Sequence, residues 1–207
     1  YDTSDDGVDG DGDGECDTTD ITPGGEITLS FSNATETTID IDYASDVSIA
    51  GFQFSVDGVT LISATDGDMT ITSGNNSVAA FGFNTTLPAC PDGGCDFASL
   101  LFYAELTGAT LGLSNVIVGQ NSTYTLEVYG PADATIYPCT NYDGDSLCDI
   151  DVDDDDDNDN SVDDDDSDDN DANVCSDDDG DSCDDCSSGA YDVSADGDDN
   201  DSDGACD

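Results

Sequence analysis

The chain has 207 residues and 52 acidic side chains, and it contains no Lys, Arg or His. Side-chain salt bridges are therefore impossible, so every carboxylate needs water, a hydrogen bond or a metal ion. The lack of cationic side chains removes the usual contacts to phosphate, and nucleic acid is not expected as a partner. It also removes imidazole bases and Schiff-base lysines. No apolar run reaches the roughly 20 residues of a membrane span.

The acidic residues divide the chain into three regions. Residues 1–20 hold nine of them, residues 21–138 hold thirteen, and residues 139–207 hold thirty, all of which are Asp. Only the middle region is apolar enough to build a conventional core, and its length suits one domain. We therefore predict a domain at 21–138 between two acidic regions of a different kind.

The middle region shows short segments with period-two alternation, rich in β-branched and aromatic residues and separated by Gly, Asn, Asp and Ser. No window has a helical period. The candidate strands are residues 26–32, 37–43, 47–56, 59–62, 69–72, 77–83, 97–106, 111–118 and 123–129. This pattern predicts an all-β fold, an antiparallel two-sheet sandwich. The positions expected to face its core are Ile27, Leu29, Phe31, Ile39, Ile41, Ile49, Phe52, Phe54, Phe81, Phe83, Leu101, Leu106, Ile117 and Leu126.

Three segments carry a family resemblance. Residues 38–59, with Ile-Ala-Gly-Phe-Gln-Phe at 49–54, are followed by Ala-Ala-Phe-Gly-Phe at 79–83 and Leu-Phe-Tyr-Ala-Glu-Leu at 101–106. Together they resemble the cohesin-type β-sandwich modules of bacterial secreted and surface proteins, over about residues 24–137. The resemblance implies a nine-stranded jelly-roll sandwich. It does not assign a dockerin partner.

The first acidic region has the spacing of a twelve-residue metal-binding loop. Oxygen side chains occupy positions 1, 3, 5, 9 and 12, Gly14 occupies position 6, and position 7 supplies a backbone carbonyl. This spacing builds the oxygen cage that Ca²⁺ requires, which predicts that residues 1–20 are the end of a calcium-binding repeat. The predicted ligands are Asp9, Asp11, Asp13, Glu15, Asp17 and Asp20.

The same spacing recurs in residues 139–207, which we predict to form calcium-binding acidic repeats that connect one sandwich to the next. The most complete copy has Asn160 in the glycine position, two copies lack an acid at position 12, and the last runs to residue 207. The predicted ligands are Asp155, Asp157, Asp159, Ser161, Asp163 and Asp166; Asn141, Asp143, Asp145 and Asp149; Asp177, Asp179, Asp181 and Asp185; and Asp199, Asp201 and Asp203.

These copies are punctuated by Cys and lack flanking helices, and they resemble thrombospondin type 3 repeats. The resemblance implies several Ca²⁺ ions along an extended chain with almost no apolar core. The alternative for such a charge run is a disordered acidic tail. A disordered tail, however, does not require Asp at alternate positions with Cys in register.

Residues 1–17 match residues 191–207 at eleven positions without a gap. Tyr, Ser, Gly and Cys are in register as well as Asp, so the chain contains one period of 190 residues and a short overlap. Such a repeat is typical of a tandem array, which predicts neighbouring copies of the same unit in head-to-tail succession. Whether the copies form one covalent chain or separate subunits is open.

The nine Cys have no cationic neighbour to lower their pKa, so they are predicted to form disulfides in an oxidising, extracellular or cell-surface location. Loop size favours the pairs Cys90–Cys95, Cys139–Cys148, Cys175–Cys183 and Cys186–Cys206. Cys16 would then pair with the equivalent of Cys186 in a preceding unit, or across a subunit junction.

Three functions remain. The leading hypothesis is a calcium-stabilised extracellular structural protein, one unit of a linear fibre or surface stalk. The alternatives are a cohesin-like protein-binding module with an acidic calcium-binding spacer, and a calcium-storage or mineral-nucleating protein. An enzyme is not predicted, because the possible carboxylate pair of a glycosidase, Glu105 and Glu127, fits solvent-facing strand positions. Candidate glycosylation sequons begin at Asn33, Asn75, Asn84 and Asn121.

Overall fold

The computed structural model describes residues 24–65, 69–82, 85–120, 124–201 and 205. Within these residues the chain forms ten strands and no helix. The described part of the chain therefore contains no helix that could span a membrane. The strands are β1 (Glu26–Ser32), β2 (Thr38–Ser45), β3 (Gly51–Asp57), β4 (Leu61–Thr65), β5 (Thr70–Gly74), β6 (Ser77–Phe81), β7 (Cys90–Phe102), β8 (Ala109–Gly119), β9 (Glu127–Tyr129) and β10 (Ala134–Ile136).

Several predicted features lie outside the described residues. They are the whole of the first acidic region with Cys16, and also Phe83, Asn84, Asn121, Asp203 and Cys206. The predictions made for them remain predictions.

The described chain divides into two compact units. The sandwich unit comprises residues 24–103 and 108–137, and the acidic unit comprises residues 104–107 together with residues from 138 onward. The sequence placed 97–106 in one strand, but β7 ends at Phe102. Within the acidic unit, Ala104 N donates a hydrogen bond to Asp151 Oδ2 at 2.6 Å.

The sandwich unit contains two five-stranded sheets, ordered β4-β7-β2-β1-β9 and β10-β8-β3-β6-β5. The all-β sandwich predicted from the alternation is therefore confirmed. One pair departs from the expected antiparallel pattern, because β9 runs parallel to β1, with Glu26 opposite Glu127. The sequence also missed β10, which is three residues long and pairs with the start of β8.

Alternate side chains of both sheets fill the space between them. In β2, Ile39, Ile41 and Tyr43 point inward, as the period-two pattern requires. The centre of the core is Phe97, which is fully buried and stacks on Phe52 with ring centroids 4.1 Å apart. Because residues from both sheets meet there, this cluster joins the two layers.

Four residues predicted to face the core are exposed instead: Phe81, Leu101, Leu106 and Ile117. In each strand concerned, an immediate neighbour takes the interior position, namely Ala80 in β6, Leu100 and Phe102 in β7, and Val118 in β8. In these strands neighbouring residues are both apolar, so residue type alone does not show which of them faces the core, and the alternation along the strand decides it. Leu106 lies beyond the end of β7. Phe31 is half-buried and packs against the core.

Strand β7 begins at Cys90, seven residues before the predicted start, and a disulfide closes this additional part of the strand. Cys95 lies opposite Tyr43 and Cys90 lies opposite Ser45, so residues 91–94 bulge out of the strand. The Cys90–Cys95 disulfide closes this bulge, which confirms the predicted pair. The bulge explains why the sequence Pro-Asp-Gly-Gly fits inside a strand.

Candidate metal-binding loops

The acidic unit is held together without an apolar core in its described part. The only buried apolar side chains there are those of Cys148, Cys175 and Cys186. Its large apolar residues are exposed except for Val174, which is half-buried; the exposed ones are Leu106, Tyr142, Leu147, Ile150, Val152, Val162, Tyr191 and Val193. Its remaining buried side chains are polar or charged: Asp156, Asp159, Ser161, Asp185 and Asp196. Burial of unpaired carboxylates is unfavourable, so this interior needs a partner for its negative charge.

Three of the predicted copies adopt a common loop conformation. We name them loop A (residues 141–149), loop B (residues 155–166) and loop C (residues 177–185). In each loop, the carboxylate at position 3 accepts a hydrogen bond from the N–H at position 5, and the carboxylate at position 5 accepts one from position 7. The carboxylates concerned are Asp143 and Asp145, Asp157 and Asp159, and Asp179 and Asp181.

These contacts are Asx-turns, in which an Asp side chain bonds to the backbone two residues further on. They use one oxygen of each carboxylate. Local hydrogen bonding therefore orients the alternate Asp residues in the same way in all three loops.

Loops B and C share two further hydrogen bonds. The N–H at position 6 donates to the carboxylate at position 1, from Asn160 to Asp155 at 3.0 Å in loop B and from Ser182 to Asp177 at 3.2 Å in loop C. The N–H at position 2 donates to the carboxylate at position 9 in both loops, at 2.9 and 2.8 Å. The two loops are therefore repeats in structure as well as in spacing.

Left-handed residues bend the loops at fixed places. Position 4 has positive φ in all three loops, at Gly144, Asn158 and Gly180. Position 6 has positive φ in loops B and C, at Asn160 (+74°) and Ser182 (+78°). Asn160 thus has the conformation expected of the glycine position, and Asn tolerates it better than most residues with a β-carbon.

The bends bring carboxylates together in loop B. One oxygen from each of Asp155, Asp157 and Asp159 lies within 4.8 Å of the others. Asp159 is fully buried, and its Oδ2 and that of Asp157 have no hydrogen-bond partner among the described residues. Asp166 contributes to the negative field that acts on Asp157. Three of the six predicted ligands of loop B therefore converge on one region.

The other two predicted residues of loop B have different surroundings. Ser161 is buried, and its N–H donates to Asp159 Oδ1 at 2.7 Å. The Asp163 carboxylate accepts the N–H of Asp156 at 2.9 Å. Asp163 therefore fixes the entry of the loop.

In loop A the structure adds a residue that the spacing missed. Asp143 and Asp145 form a cluster with Asp153, one residue beyond the twelve-residue frame. The predicted Asp149 belongs to another cluster, with Asp153 and Asp156. Asn141 accepts the Gly144 N–H at 2.6 Å through Oδ1. A search that allowed the last acid to shift by one residue would have found Asp153.

In loop C the added residue is Asp196. One of its carboxylate oxygens lies within 4.8 Å of one from Asp181, and its Oδ2 is buried without a hydrogen-bond partner among the described residues. The Asp185 carboxylate accepts the Asp178 N–H and the Ser176 hydroxyl through Oδ2. Asp196 lies outside the frame of loop C, so no spacing signal pointed to it.

Asp199 and Asp201 are exposed and have described positions. The copy that they begin continues outside the described residues, and its metal-binding role stays a prediction.

The local environment disfavours ionisation of two of these acids when no cation is bound. Burial, followed by the negative charges of Asp163 and Asp149, raises the pKa of Asp156 to about 6. Burial and the charge of Asp159 likewise raise the pKa of Asp157 to about 6. A nearby cation would act in the opposite direction, because it favours the charged carboxylate.

The disulfides of the acidic unit correct two predicted pairs. Cys139–Cys148 is confirmed, but Cys175 pairs with Cys186, which excludes both Cys175–Cys183 and Cys186–Cys206. Asp184 Oδ1 accepts the N–H of Cys175 and of Cys186, each at 2.9 Å, and so holds the two backbones together. Cys183 is also disulfide-bonded. Sulfurs in disulfides are not thiolate ligands, so the Asp159, Cys175 and Cys186 group offers only one metal-binding side chain.

Two other sets of candidate residues are the acids considered as a glycosidase pair and the asparagines of the glycosylation sequons. Glu105 follows β7 and belongs to the acidic unit, whereas Glu127 lies in β9 of the sandwich unit. The prediction that each lies in a strand is therefore wrong for Glu105. Asn33 and Asn75 are exposed, and glycosylation of either remains a prediction.

The described residues thus define a class of protein: an all-β sandwich unit followed in the chain by an acidic unit of repeated carboxylate loops.

Comparison with models of protein families finds no match, and comparison with curated proteins finds none. Solved structures that match include cohesins. A non-cellulosomal cohesin from the hyperthermophilic archaeon Archaeoglobus fulgidus is 10% identical, with a TM-score of 0.40, over 53% of this chain and 88% of that chain.

Two further matches come from Clostridium. A cohesin module of a family 33 glycoside hydrolase from Clostridium perfringens is 12% identical, with a TM-score of 0.41, over 56% of this chain and 99% of that chain. A chain from a type I cohesin–dockerin complex of Clostridium thermocellum is 12% identical, with a TM-score of 0.38, over 52% of this chain and 90% of that chain. These are similarities of fold, and the sandwich architecture rests on the strands of this chain.

Proposed function

We propose that the chain is a calcium-stabilised extracellular structural protein, one unit of a linear fibre or surface stalk. The observation that carries the proposal is the repetition of one loop conformation, in which alternate carboxylates converge and leave buried oxygens without hydrogen-bond partners among the described residues. The chain has no cationic side chain that could pair with them. A bound cation would neutralise these oxygens and supply the partner that they lack.

The donor set fits calcium. All candidate ligands are oxygens, from Asp carboxylates, Asn141 and the backbone carbonyl of Ser161, and Ca²⁺ takes six to eight oxygen ligands in flexible geometry. Magnesium requires stricter octahedral geometry and keeps several of its waters. The loops resemble those of thrombospondin type 3 repeats, and we propose that they are related to these repeats.

Calcium would act through electrostatics. If about five loops each bind one Ca²⁺, these ions would offset about ten of the negative charges of the carboxylates. Since the unfolded loops cannot form these cages, the free energy of binding becomes free energy of folding. The acidic unit would become stiff only in the presence of calcium.

The fibre follows from the internal repeat. Residues 191–207 repeat residues 1–17, so each acidic unit would lead into the next copy of the sandwich. Head-to-tail succession gives open linear assemblies when its rotation does not close a ring. The three disulfides of the described residues favour an oxidising compartment, in accord with an extracellular or surface location.

Chelation is expected to make the assembled material flexible or to shorten it. Electron microscopy of the purified assembly before and after addition of EGTA measures contour length and bending, and a second sample receives EGTA with excess calcium as the control. Fibres of unchanged length and stiffness in EGTA would contradict the calcium role. Weak and unsaturable uptake of calcium would instead favour the storage or mineral-nucleating function.

The conformation of Asn160 gives a test at one residue. Asn160→Gly is expected to keep the calcium affinity of loop B. Asn160→Ala is expected to lower it about tenfold, because Gly and Asn adopt the left-handed conformation readily, whereas Ala pays about 1–2 kcal/mol for it. Calorimetric titration of the full chain measures both variants. If the Ala variant binds as tightly as the Gly variant, the bend at position 6 does not contribute to binding.

A second candidate function is a protein-binding module, and a surface of the sandwich favours it. On the outer face of the second sheet, Phe81 is 57% exposed and Ile117 is 48% exposed. Phe81 lies opposite Gly51 and Ile117 lies opposite Gln53, on the two sides of β3, and both border a hollow of about 330 Å³. An apolar side chain of a partner protein would fit between them. A partner that is retained by the wild-type chain and lost on Phe81→Asp would support this function, and equal retention would oppose it.

A further inference from the structure

The three loops differ in how their entrances are anchored. The residue two positions before loop A is Cys139, which forms a disulfide with Cys148, and the corresponding residue before loop C is Cys175, which forms a disulfide with Cys186. Before loop B the corresponding residue is Asp153. Loop B therefore has a carboxylate where its two neighbours have a covalent cross-link.

Asp153 takes part in a compact group of acids. One carboxylate oxygen from each of Asp149, Asp153 and Asp156 lies within 4.8 Å of the other two. Two ligands at about 2.4 Å from a common Ca²⁺ lie at most about 4.8 Å apart, so this spacing suits one ion. Asp149 ends loop A and Asp156 is the second residue of loop B, so the group spans two loops.

Four oxygens of this group are buried and have no hydrogen-bond partner among the described residues, whereas Asp153 Oδ1 accepts the Asp155 N–H at 3.3 Å. Asp156 is only 8% exposed, and its Oδ1 has no hydrogen bond to any described residue. The same holds for both oxygens of Asp149 and for Asp153 Oδ2. The Asp156 N–H is already bonded to Asp163, so the backbone holds the residue in place whether or not its side chain is satisfied.

Loop C supplies an internal comparison. Its residue equivalent to Asp156 is Asp178, which is exposed and accepts a hydrogen bond from the Tyr191 hydroxyl at 2.7 Å. Thus the carboxylate at position 2 has a donor where the entrance is closed by a disulfide, and it is buried without one where the entrance carries Asp153.

We infer that Asp149, Asp153 and Asp156 bind a divalent cation that joins loop A to loop B. The inference rests on the proposed calcium role and adds a site, shared by loops A and B, that the repeated spacing does not predict. This cation takes the place of the missing disulfide: it anchors the entrance of loop B, and it makes the position of loop B depend on calcium rather than on oxidation.

The test is the number of calcium ions bound by the full chain, counted by native mass spectrometry during a calcium titration. Asp156→Ala is expected to bind one ion fewer than the wild type, and Asp178→Ala, the matched change in loop C, is expected to bind the wild-type number. Asp156→Asn preserves the shape of the residue, and we expect at least a tenfold weaker affinity for one ion with the others unchanged. The Asn variant keeps the test valid if the Ala variant fails to fold.

An unchanged count and affinity in both Asp156 variants would overturn the inference and leave the proposed function intact. Loss of one ion from Asp156→Ala and also from Asp178→Ala would overturn it too, because the effect would then belong to position 2 of any loop. A wild-type chain that binds no defined number of ions would overturn the proposed function together with this site.

Discussion

Removal of calcium is expected to abolish amide protection throughout the acidic unit while the sandwich strands stay protected. The described acidic unit buries no apolar side chain other than cysteines, but it buries Asp156, Asp159, Asp185 and Asp196. Without cations these carboxylates repel one another in a poorly solvated interior. The disulfides would then hold a chain that has lost its fixed conformation.

The size of the effect follows from linkage. At a free calcium concentration of about 100 times the dissociation constant, each occupied site adds about 2.7 kcal/mol, or about 100-fold in protection. Hydrogen exchange followed by mass spectrometry, in calcium and in EGTA, measures this for peptides from residues 138–201. Peptides from β2 and β7 serve as the internal control, because their protection depends on the apolar core.

Two outcomes would contradict this expectation. Equal protection of the acidic unit in calcium and in EGTA would mean that its hydrogen bonds and disulfides suffice for folding. Equal loss from β2 and β7 would mean that calcium acts on the whole chain rather than on the acidic unit. Replacement of calcium by magnesium at the same concentration distinguishes a specific oxygen cage from general screening of charge.

Phe97→Ala is expected to destabilise the sandwich by about 3–5 kcal/mol, since it removes a fully buried ring and leaves a cavity. Phe97 contacts three other aromatic rings, those of Tyr43, Phe52 and Phe54. These contacts join strands of both sheets, so the loss is felt in both layers. Guanidinium denaturation at saturating calcium, followed by circular dichroism of the sheet, measures the change.

Phe81→Ala is the matched control, because it removes the same side chain from an exposed position of β6. We expect it to change the stability by no more than about 0.5 kcal/mol. A cost for Phe81→Ala as large as that for Phe97→Ala would contradict the assignment of the two faces of the sheet. A small cost for Phe97→Ala would show that the core relaxes to fill the cavity.

The strand pattern illustrates what alternation can and cannot predict. In β1 and in residues 38–43 of β2 polar and apolar residues alternate, so Ile27, Leu29, Ile39 and Ile41 were placed correctly. In β6 both Ala80 and Phe81 are apolar, and the choice between them depends on which face meets the other sheet. The size of a side chain does not decide this, because one residue of shift exchanges the two faces.

In the acidic loops, too, some features follow from the local sequence and others depend on packing. Residues 143–147, 157–161 and 179–183 contain Asp side chains that bond to the backbone two residues away, so this conformation depends on residues that are close in the sequence. Asp153 and Asp196 join these groups from outside the twelve-residue frame. Their participation depends on how successive loops pack, which no spacing rule contains.

The sequence by itself determined that the carboxylates have no cationic side chain to pair with, and it determined which secondary-structure elements and loops the chain can form. A chain with no cationic side chain must satisfy its carboxylates by hydrogen bonds, water or metal, and short-range alternation is enough to predict strands and Asp-rich loops. Only the tertiary structure decided that Cys175 pairs with Cys186, that Phe81 faces outward, and that Asp149, Asp153 and Asp156 meet. The exposure of Phe81 depends on which face of its sheet meets the other sheet, and the other two features depend on how successive loops of the acidic unit fold against one another. The twelve-residue spacing and the strand alternation specify neither.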